Sequence, residues 1–266
     1  KGLGAENVTN IDTTNNIAEF YLQDAGLENL NWDQIRWGSF RTDNIIGKEP
    51  DSIAAMLSIG DVVYLLTTQE GYRLGQIPEV QGAFAAINPT DGSTIALTGG
   101  FDYQTSKFNR ATQAQRQPGS AFKPFIYSAA LENGYTAATI VNDAPILESG
   151  GGQEEAWRPE NYSRKFYGLT RMREALVRSM NLASIRVLEG SGMQGTMQHL
   201  EGFGWDTQKL PRDLTLALGT GETTPYKLAQ AYAGFASGGY GIDTWFIDRI
   251  IDAQGNTVFS TNPVVV

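Results

Sequence analysis

The sequence predicts an α+β protein, with its antiparallel strands and its helices in separate stretches of chain. Three observations lead there. Two apolar runs joined by a Pro-Thr-Asp-Gly turn stand ahead of the helices. Three helical stretches then follow one another. A second hairpin closes the chain, and nowhere does strand alternate with helix in the βαβ rhythm of a parallel sheet. A change of texture near Gln76 divides residues 1–75 from residues 76–266.

Residues 1–75 are polar and broken up. "NVTNIDTTNN" reads as a turn-rich lead-in without periodicity. "DQIRWGSF" alternates beside Trp32 and Trp37, which suggests a strand. "EPDSIAAMLSIGDVVYLLTT" reads as a short helix, a turn at Gly60-Asp61, and a β-branched strand over Val62–Leu66. Short strands with no long helix suggest a small β-rich module, a little barrel or OB-like fold.

Beyond Gln76, "VQGAFAAINPTDGSTIALTGG" predicts a hairpin with well-buried strands around Pro89-Thr90-Asp91-Gly92. "FDYQTSKFNRATQAQRQPG" is polar and irregular and leads to Ser120. "AFKPFIYSAALENG" is a helix ending near Gly134. The tract from Tyr135 to Gly168 is long and irregular, and such tracts in compact domains are often functional. "LTRMREALVRSMNLASIRVLEGSG" predicts one strongly helical segment, with Leu169, Met172, Leu176 and Met180 at helical spacing. "TPYKLAQAYAGFASGG" is a helix capped by Ser237-Gly238-Gly239. "WFIDRIIDAQGNTVFS" is a hairpin about Ala253–Asn256.

Composition narrows the function. The 266 residues are 41% hydrophobic and 18% charged, as in an ordinary globular protein. The net charge of −9 argues against nucleic acid as a partner. No apolar run reaches membrane-spanning length, and "KGLGAENVTN" lacks the pattern of a signal peptide. With no cysteine there is no disulfide, thiol chemistry or Cys-based metal site, and one histidine excludes multi-His metal sites. No cofactor is expected. His199 sits in a helix end, where a surface or capping role is expected, so the usual histidine base for a serine nucleophile is missing.

"RQPGSAFKPFIYSAAL" supplies another. Pro118 and Gly119 break any preceding helix, and Pro124 is tolerated only in a first turn. Together they place the helix start close to Ser120. Residues three apart share a helix face, so the Ser120 hydroxyl and Lys123 amine can meet. Free backbone N–H groups and the helix dipole favour negative charge at that end, such as an oxyanion. A free lysine, pKa about 10.4, is a poor base at neutral pH. Desolvated by Phe122, Phe125 and Ile126, it turns neutral and can take the serine proton. The same residues fit a second reading, in which Lys123 reaches solvent and Ser120 is an N-cap.

The wider sequence separates the two. "GSAFKPF" resembles the active-site start of the penicillin-binding transpeptidases, with their Ser-x-x-Lys motif. "QIPEVQGAFAAINPTDGSTIALTGGFDY" is similar to the hairpin ahead of the serine in class A (bifunctional) penicillin-binding proteins. "WRPENY" followed by "FYGLTRMREALVRSMNLASIRV" resembles the family's Pro-x-Asn-Tyr segment and the helical approach to its second motif. "TLALGTGETTPYKLAQAYAGFASGG" resembles the next helix and its Gly-rich end. The resemblance covers nearly all of residues 76–262, in the family's order.

That resemblance implies the penicillin-binding transpeptidase (serine β-lactamase-like) fold, with residues 1–75 as the OB-like insertion of some class A members. It implies Ser120 as the nucleophile, with its backbone N–H in the oxyanion hole, and Lys123 as the general base. The second motif falls at Ser179-Met180-Asn181. Ser179 would relay a proton, and Asn181 would hydrogen-bond the substrate's peptide carbonyl. Ser260-Thr261-Asn262 repeats the pattern without the "REALVRSMN" context and is set aside. The third motif, Lys-Thr/Ser-Gly, has no match, since Gly219-Thr220-Gly221 lacks the lysine. Its strand supplies a cation for the substrate carboxylate and one oxyanion donor, whose loss typically costs about 10²–10³ in rate. The expectation is therefore a chain that stops before its C-terminal strands and its active site are complete. Its parent would carry a membrane anchor and a glycosyltransferase domain, in the periplasm or on the outer face of the bacterial inner membrane.

The implied activity is a D,D-transpeptidase that crosslinks peptidoglycan stem peptides ending in D-Ala-D-Ala, and β-lactams would acylate the same serine. Two rivals stay open. A β-lactamase or D,D-carboxypeptidase would use water as acceptor, with Glu160 and Glu174 available to activate it. A non-catalytic envelope scaffold would explain the missing third motif. The tract Gly150–Gly152 and the aromatics Trp157, Tyr162 and Tyr167 are candidates to flank the cleft, or are loop and core residues.

Overall fold

The structure, a computed structural model, describes residues 3–38, 41–42, 45–46, 50–104, 106–146 and 157–262. It divides into two compact units, Lys1–Val80 and Gln81–Val266.

The first unit is built on a five-stranded antiparallel sheet. Its strands are β1 (Leu3–Asp12), β2 (Ile17–Leu22), β3 (Gly26–Asn31), β6 (Val62–Thr68) and β7 (Gly71–Gly75), in the order β3-β2-β1-β6-β7. A short pair, β4 (Arg41–Thr42) and β5 (Ile45–Ile46), lies between β3 and β6 in sequence. Alternation along β2 sends Ala18, Phe20 and Leu22 into one core with Leu30, Ile35, Ile53 and Leu65. The 3₁₀ turn Ile53–Ala55 is the predicted short helix, and its Ile53 is buried there.

Two expectations for this unit are corrected. "NVTNIDTTNN" is not a turn-rich lead-in: most of it lies in β1, between β2 and β6. Val8 is the one fully buried side chain of β1, so pairing on both edges makes the strand without an apolar pattern. "DQIRWGSF" opens as a helix, α1 (Trp32–Ile35), and not as a strand. Asn31 and Gln34 form a reciprocal capping box, which satisfies the Gln34 N–H of the first turn and the N–H of Asn31 itself. Gln34 Nε2 and Trp37 Nε1 then donate to the Tyr72 and Leu74 carbonyls of β7.

The second unit holds a helical core beside small antiparallel pairs. β8 (Phe84–Ile87) and β9 (Thr94–Thr98) form the predicted hairpin, but its strands are not well buried, Phe84 being 57% and Ile95 69% exposed. Helix α6 (Pro225–Ala236) packs against β8, and its Tyr226 hydroxyl meets Thr94 Oγ1 at 2.9 Å. α2 (Lys123–Glu132) follows a 3₁₀ turn, Gly119–Phe122. The long tract after it contains β10 (Ile140–Asp143), paired with β11 (Gly168–Arg171).

The single helix expected from Leu169 onward is instead β11 and two helices, α3 (Met172–Val177) and α4 (Asn181–Ser191). Leu169 is 78% exposed on the strand, while Met172 and Met180 are buried. α5 (Met193–Gly202) follows, then the hairpin of β12 (Arg249–Ile251) and β13 (Thr257–Ser260). His199 lies in the last turn of α5. Its Nδ1 meets Glu132 and its Nε2 meets Ser128 Oγ at 2.9 Å, which ties α5 to α2.

The core of this unit gathers around α2. Phe125 has Phe203, Trp205, Tyr232 and Phe235 with ring centroids 5.1–5.3 Å away. Phe122 meets Trp205 edge-on at 4.8 Å. No described helix is long and apolar enough to cross a membrane.

Candidate active site

The turn before α2 is held from the far side of the chain. Gly119 has φ +57, a conformation glycine adopts at little cost, and its N–H donates to the Gly219 carbonyl at 3.1 Å. Arg116 and Thr223 exchange two backbone hydrogen bonds of 2.9 Å. The Tyr232 hydroxyl donates to the Ala121 carbonyl at 2.7 Å. Three contacts from one downstream stretch thus fix the turn that presents Ser120, whose side chain is exposed.

Lys123 is the opposite case. It starts α2, and Phe122, Phe125 and Ile126 around it are buried. The lysine itself is 1% exposed, so it does not reach solvent. Burial penalises the ammonium and lowers the pKa from 10.5 to about 8. Three acceptors converge on Nζ: the Ser179 carbonyl at 2.7 Å, Ser179 Oγ at 3.0 Å and Asn181 Oδ1 at 2.7 Å. When the amine is neutral, two N–H bonds can hold the carbonyl and amide oxygens. Its lone pair is then available to take a proton from a hydroxyl. Among the described residues no hydrogen bond joins Ser120 Oγ to Lys123.

The Ser179 carbonyl can reach Lys123 because the chain breaks between α3 and α4. The break is a Schellman motif. Ser179 N–H donates to the Leu176 carbonyl at 3.0 Å, and Met180 N–H to the Ala175 carbonyl at 2.9 Å. The residue after the helix cap in this motif is usually glycine, because it is left-handed. Here it is Ser179, at φ +52. A serine there costs roughly 1–2 kcal/mol.

Asn181 begins α4 and is held by Glu160, through its backbone rather than its carboxylate, and by Asn161, to which the sequence assigned no role. Its Nδ2 donates to the Glu160 carbonyl at 2.8 Å, which turns Oδ1 toward Lys123. Its backbone N–H donates to Asn161 Oδ1 at 2.7 Å. Asn161 in turn donates to the buried Asp143 at 2.8 Å. Asn161 lies within the quoted "WRPENY", but its partners are about 20 residues away and no local pattern signals them.

The other candidates fall as follows. Ser179, Asn181 and Lys123 meet; Ser120 lies one helical turn from Lys123. Glu174 pairs with Arg178 on one face of α3, and the exposed Glu160 contributes its carbonyl. Trp157 packs on the core, Tyr162 is fully exposed, and Tyr167 lies under the Arg178 guanidinium at 5.6 Å. Gly150–Gly152 lie outside the described residues. Ser260 ends the exposed strand β13. No group of three or more His, Cys, Asp or Glu fit to hold a metal ion occurs among the described residues.

Comparison with known proteins gives two family matches. Residues 82–265 match the model of the penicillin binding protein transpeptidase domain, and residues 8–80 that of the penicillin-binding protein OB-like domain. The chain is 42% identical over 243 residues to penicillin-binding protein 1A of Pseudomonas aeruginosa, covering 91% of this chain and 30% of that one. The crystal structure of penicillin-binding protein 1A from Haemophilus influenzae superposes with a TM-score of 0.81 at 33% identity, over 100% of this chain and 37% of that one. The PonA1 protein of Mycobacterium tuberculosis in complex with penicillin V is 26% identical, with a TM-score of 0.59 over 68% of this chain and 51% of that one. The chain thus spans about 30% of the length of the curated relatives it matches.

Proposed function

The chain belongs to the penicillin-binding protein transpeptidase family, and on that premise we propose that it carries the acylating centre of a D,D-transpeptidase of the penicillin-binding protein 1A kind. One observation carries the reading: a buried lysine, one turn from an exposed serine, held by Ser179 and Asn181 with its pKa lowered to about 8. Such an amine is a base near neutral pH and needs no histidine.

Ser120 Oγ attacks the carbonyl carbon of the D-Ala-D-Ala peptide bond, and its proton passes to the Lys123 amine. No hydrogen bond joins the two side chains among the described residues. Catalytic hydrogen bonds often tighten only when substrate is bound. The proton continues through Ser179 to the departing amine of the terminal D-Ala, leaving an ester on Ser120. An amine of a neighbouring stem peptide then attacks the ester, and the same path runs in reverse. The Asn181 amide holds the peptide carbonyl of the donor strand. The backbone N–H of Ser120 supplies one oxyanion donor. A Lys-Thr/Ser-Gly segment is not among these residues. The setting is the periplasm, on the outer face of the inner membrane, and the stem peptide is the partner. A β-lactam mimics the donor and acylates the same serine, which the penicillin V complex of a relative supports.

The test is intact-mass spectrometry of the protein in its longest natural form, with and without a penicillin. The expected result is a stable adduct on the peptide carrying Ser120, lost in Ser120→Ala. Full occupancy of the folded protein by penicillin without a covalent adduct overturns the assignment.

A further inference from the structure

The break that presents Ser179 and Asn181 is built partly from outside its own helices. Asn161 Oδ1 accepts from the backbone N–H groups of Asn181 at 2.7 Å and Leu182 at 3.4 Å. These are the first two residues of α4, so Asn161 serves as a cap supplied from a distant loop. Its amide cannot turn over. Nδ2 donates to Asp143 Oδ2 at 2.8 Å and to the Lys165 carbonyl at 2.9 Å, and both partners are acceptors only. Asp143 is 0% exposed and lies on β10. It also accepts from the Tyr167 N–H at 3.0 Å through the same oxygen. Its other oxygen, Oδ1, is buried without a hydrogen-bond partner among the described residues.

A buried carboxyl with one oxygen unused is a poor stabilising device, because leaving such an atom dry costs about 1–3 kcal/mol or more. Its placement makes sense as an orienting one. Asp143 fixes the flip of Asn161, Asn161 fixes the first N–H groups of α4, and those set where Asn181 Oδ1 and the Ser179 carbonyl meet Lys123. We propose that Asp143 and Asn161 are positioning residues for the acylation step, acting on Lys123 through the Ser179–Asn181 turn and touching no substrate themselves. This rests on the acylating role proposed above for Ser120 and Lys123.

The test is stopped-flow acylation by a chromogenic β-lactam, per titrated active site, resolved into non-covalent affinity and acylation rate constant. Asn161→Asp keeps an oxygen for the two N–H groups of α4, so the fold retains its cap, but it opposes a carboxyl to Asp143. The expected result is an acylation rate constant at least 10-fold lower, with affinity changed less than 3-fold. Asn161→Ala is the second variant: it removes the cap oxygen and the contact to Asp143 together. It should lower the acylation rate constant at least 10-fold, again with affinity changed less than 3-fold. A merely structural role would lower the folded fraction without moving the rate constant per titrated site. The inference is overturned if Asn161→Asp or Asn161→Ala acylates at the wild-type rate per titrated site. Failure of the unmutated protein to acylate would overturn the proposed function first, and this inference with it.

Discussion

Gly219→Ala tests whether the turn carrying Ser120 is held from behind. Gly219 closes the 3₁₀ segment Leu214–Leu218 with φ +72, and its carbonyl accepts the Gly119 N–H. A methyl group at 219 would lie 2.9 Å from Gly119 Cα and closer still to the Gly119 carbonyl oxygen. No rotamer relieves a clash between Cβ and backbone. The left-handed backbone costs about 1–2 kcal/mol for a non-glycine residue. Forcing the two strands of chain apart adds about 1–3 kcal/mol. Together these give about 2–5 kcal/mol, or a melting temperature lower by roughly 4–20 °C for a unit of this size. Gly238→Ala is the control, with φ +85 and open space around the new methyl, so it carries the backbone cost alone. Thermal melts of both variants, with penicillin acylation below the transition, make the measurement. Gly219→Ala should melt below Gly238→Ala and acylate more slowly. Equal melting temperatures and a wild-type acylation rate would refute the argument.

Four further outcomes follow from the structure. Lys123 is depressed to about 8 by burial, so its neutral form grows as pH rises toward that value. The acylation rate should therefore climb through pH 7 and level off above about 8 in a stopped-flow pH series. Because the unfolded lysine keeps its proton up to about 10.4, stability should also rise between about pH 8 and 10.4, and that rise should vanish in Lys123→Met. Phe125→Ala removes the ring at the centre of the aromatic cluster and should cost about 3–5 kcal/mol by denaturant titration. Asn31→Ala removes the side-chain half of the capping box on α1 and should cost about 0.5–2 kcal/mol in the first unit, with acylation unchanged.

Where the chain carries its own punctuation, the sequence was readable. Pro118, Gly119 and Pro124 bracket the start of α2, and Ser120 and Lys123 follow from that bracket. The two hairpins of the second unit were marked by Pro89–Gly92 and Gly255. Features held by distant partners were not legible. β1 is a strand because β2 and β6 pair with it, and its side chains, mostly polar, give no alternation. The stop between α3 and α4 is a glycine-type turn made with serine, so an apolar spacing reads straight through it. Leu169 fits that helical spacing, yet pairing with β10 places it on a strand. The Asp143–Asn161 link joins residues 18 positions apart through side chains alone, and no local propensity reports it. A buried lysine was one of the two readings its apolar neighbours allowed, and its acceptors come from residues 56 and 58 positions onward.

The left-handed serine at 179 sets stability against chemistry at a single codon. Glycine would adopt the same backbone more cheaply, and Ser179→Gly would leave the Schellman turn and the carbonyl contact to Lys123 in place. It would delete only the hydroxyl. A search for more heat-resistant variants of this protein would therefore favour that change, and each such gain would select a folded, drug-binding-shaped molecule that has lost the hydroxyl proposed to pass its proton.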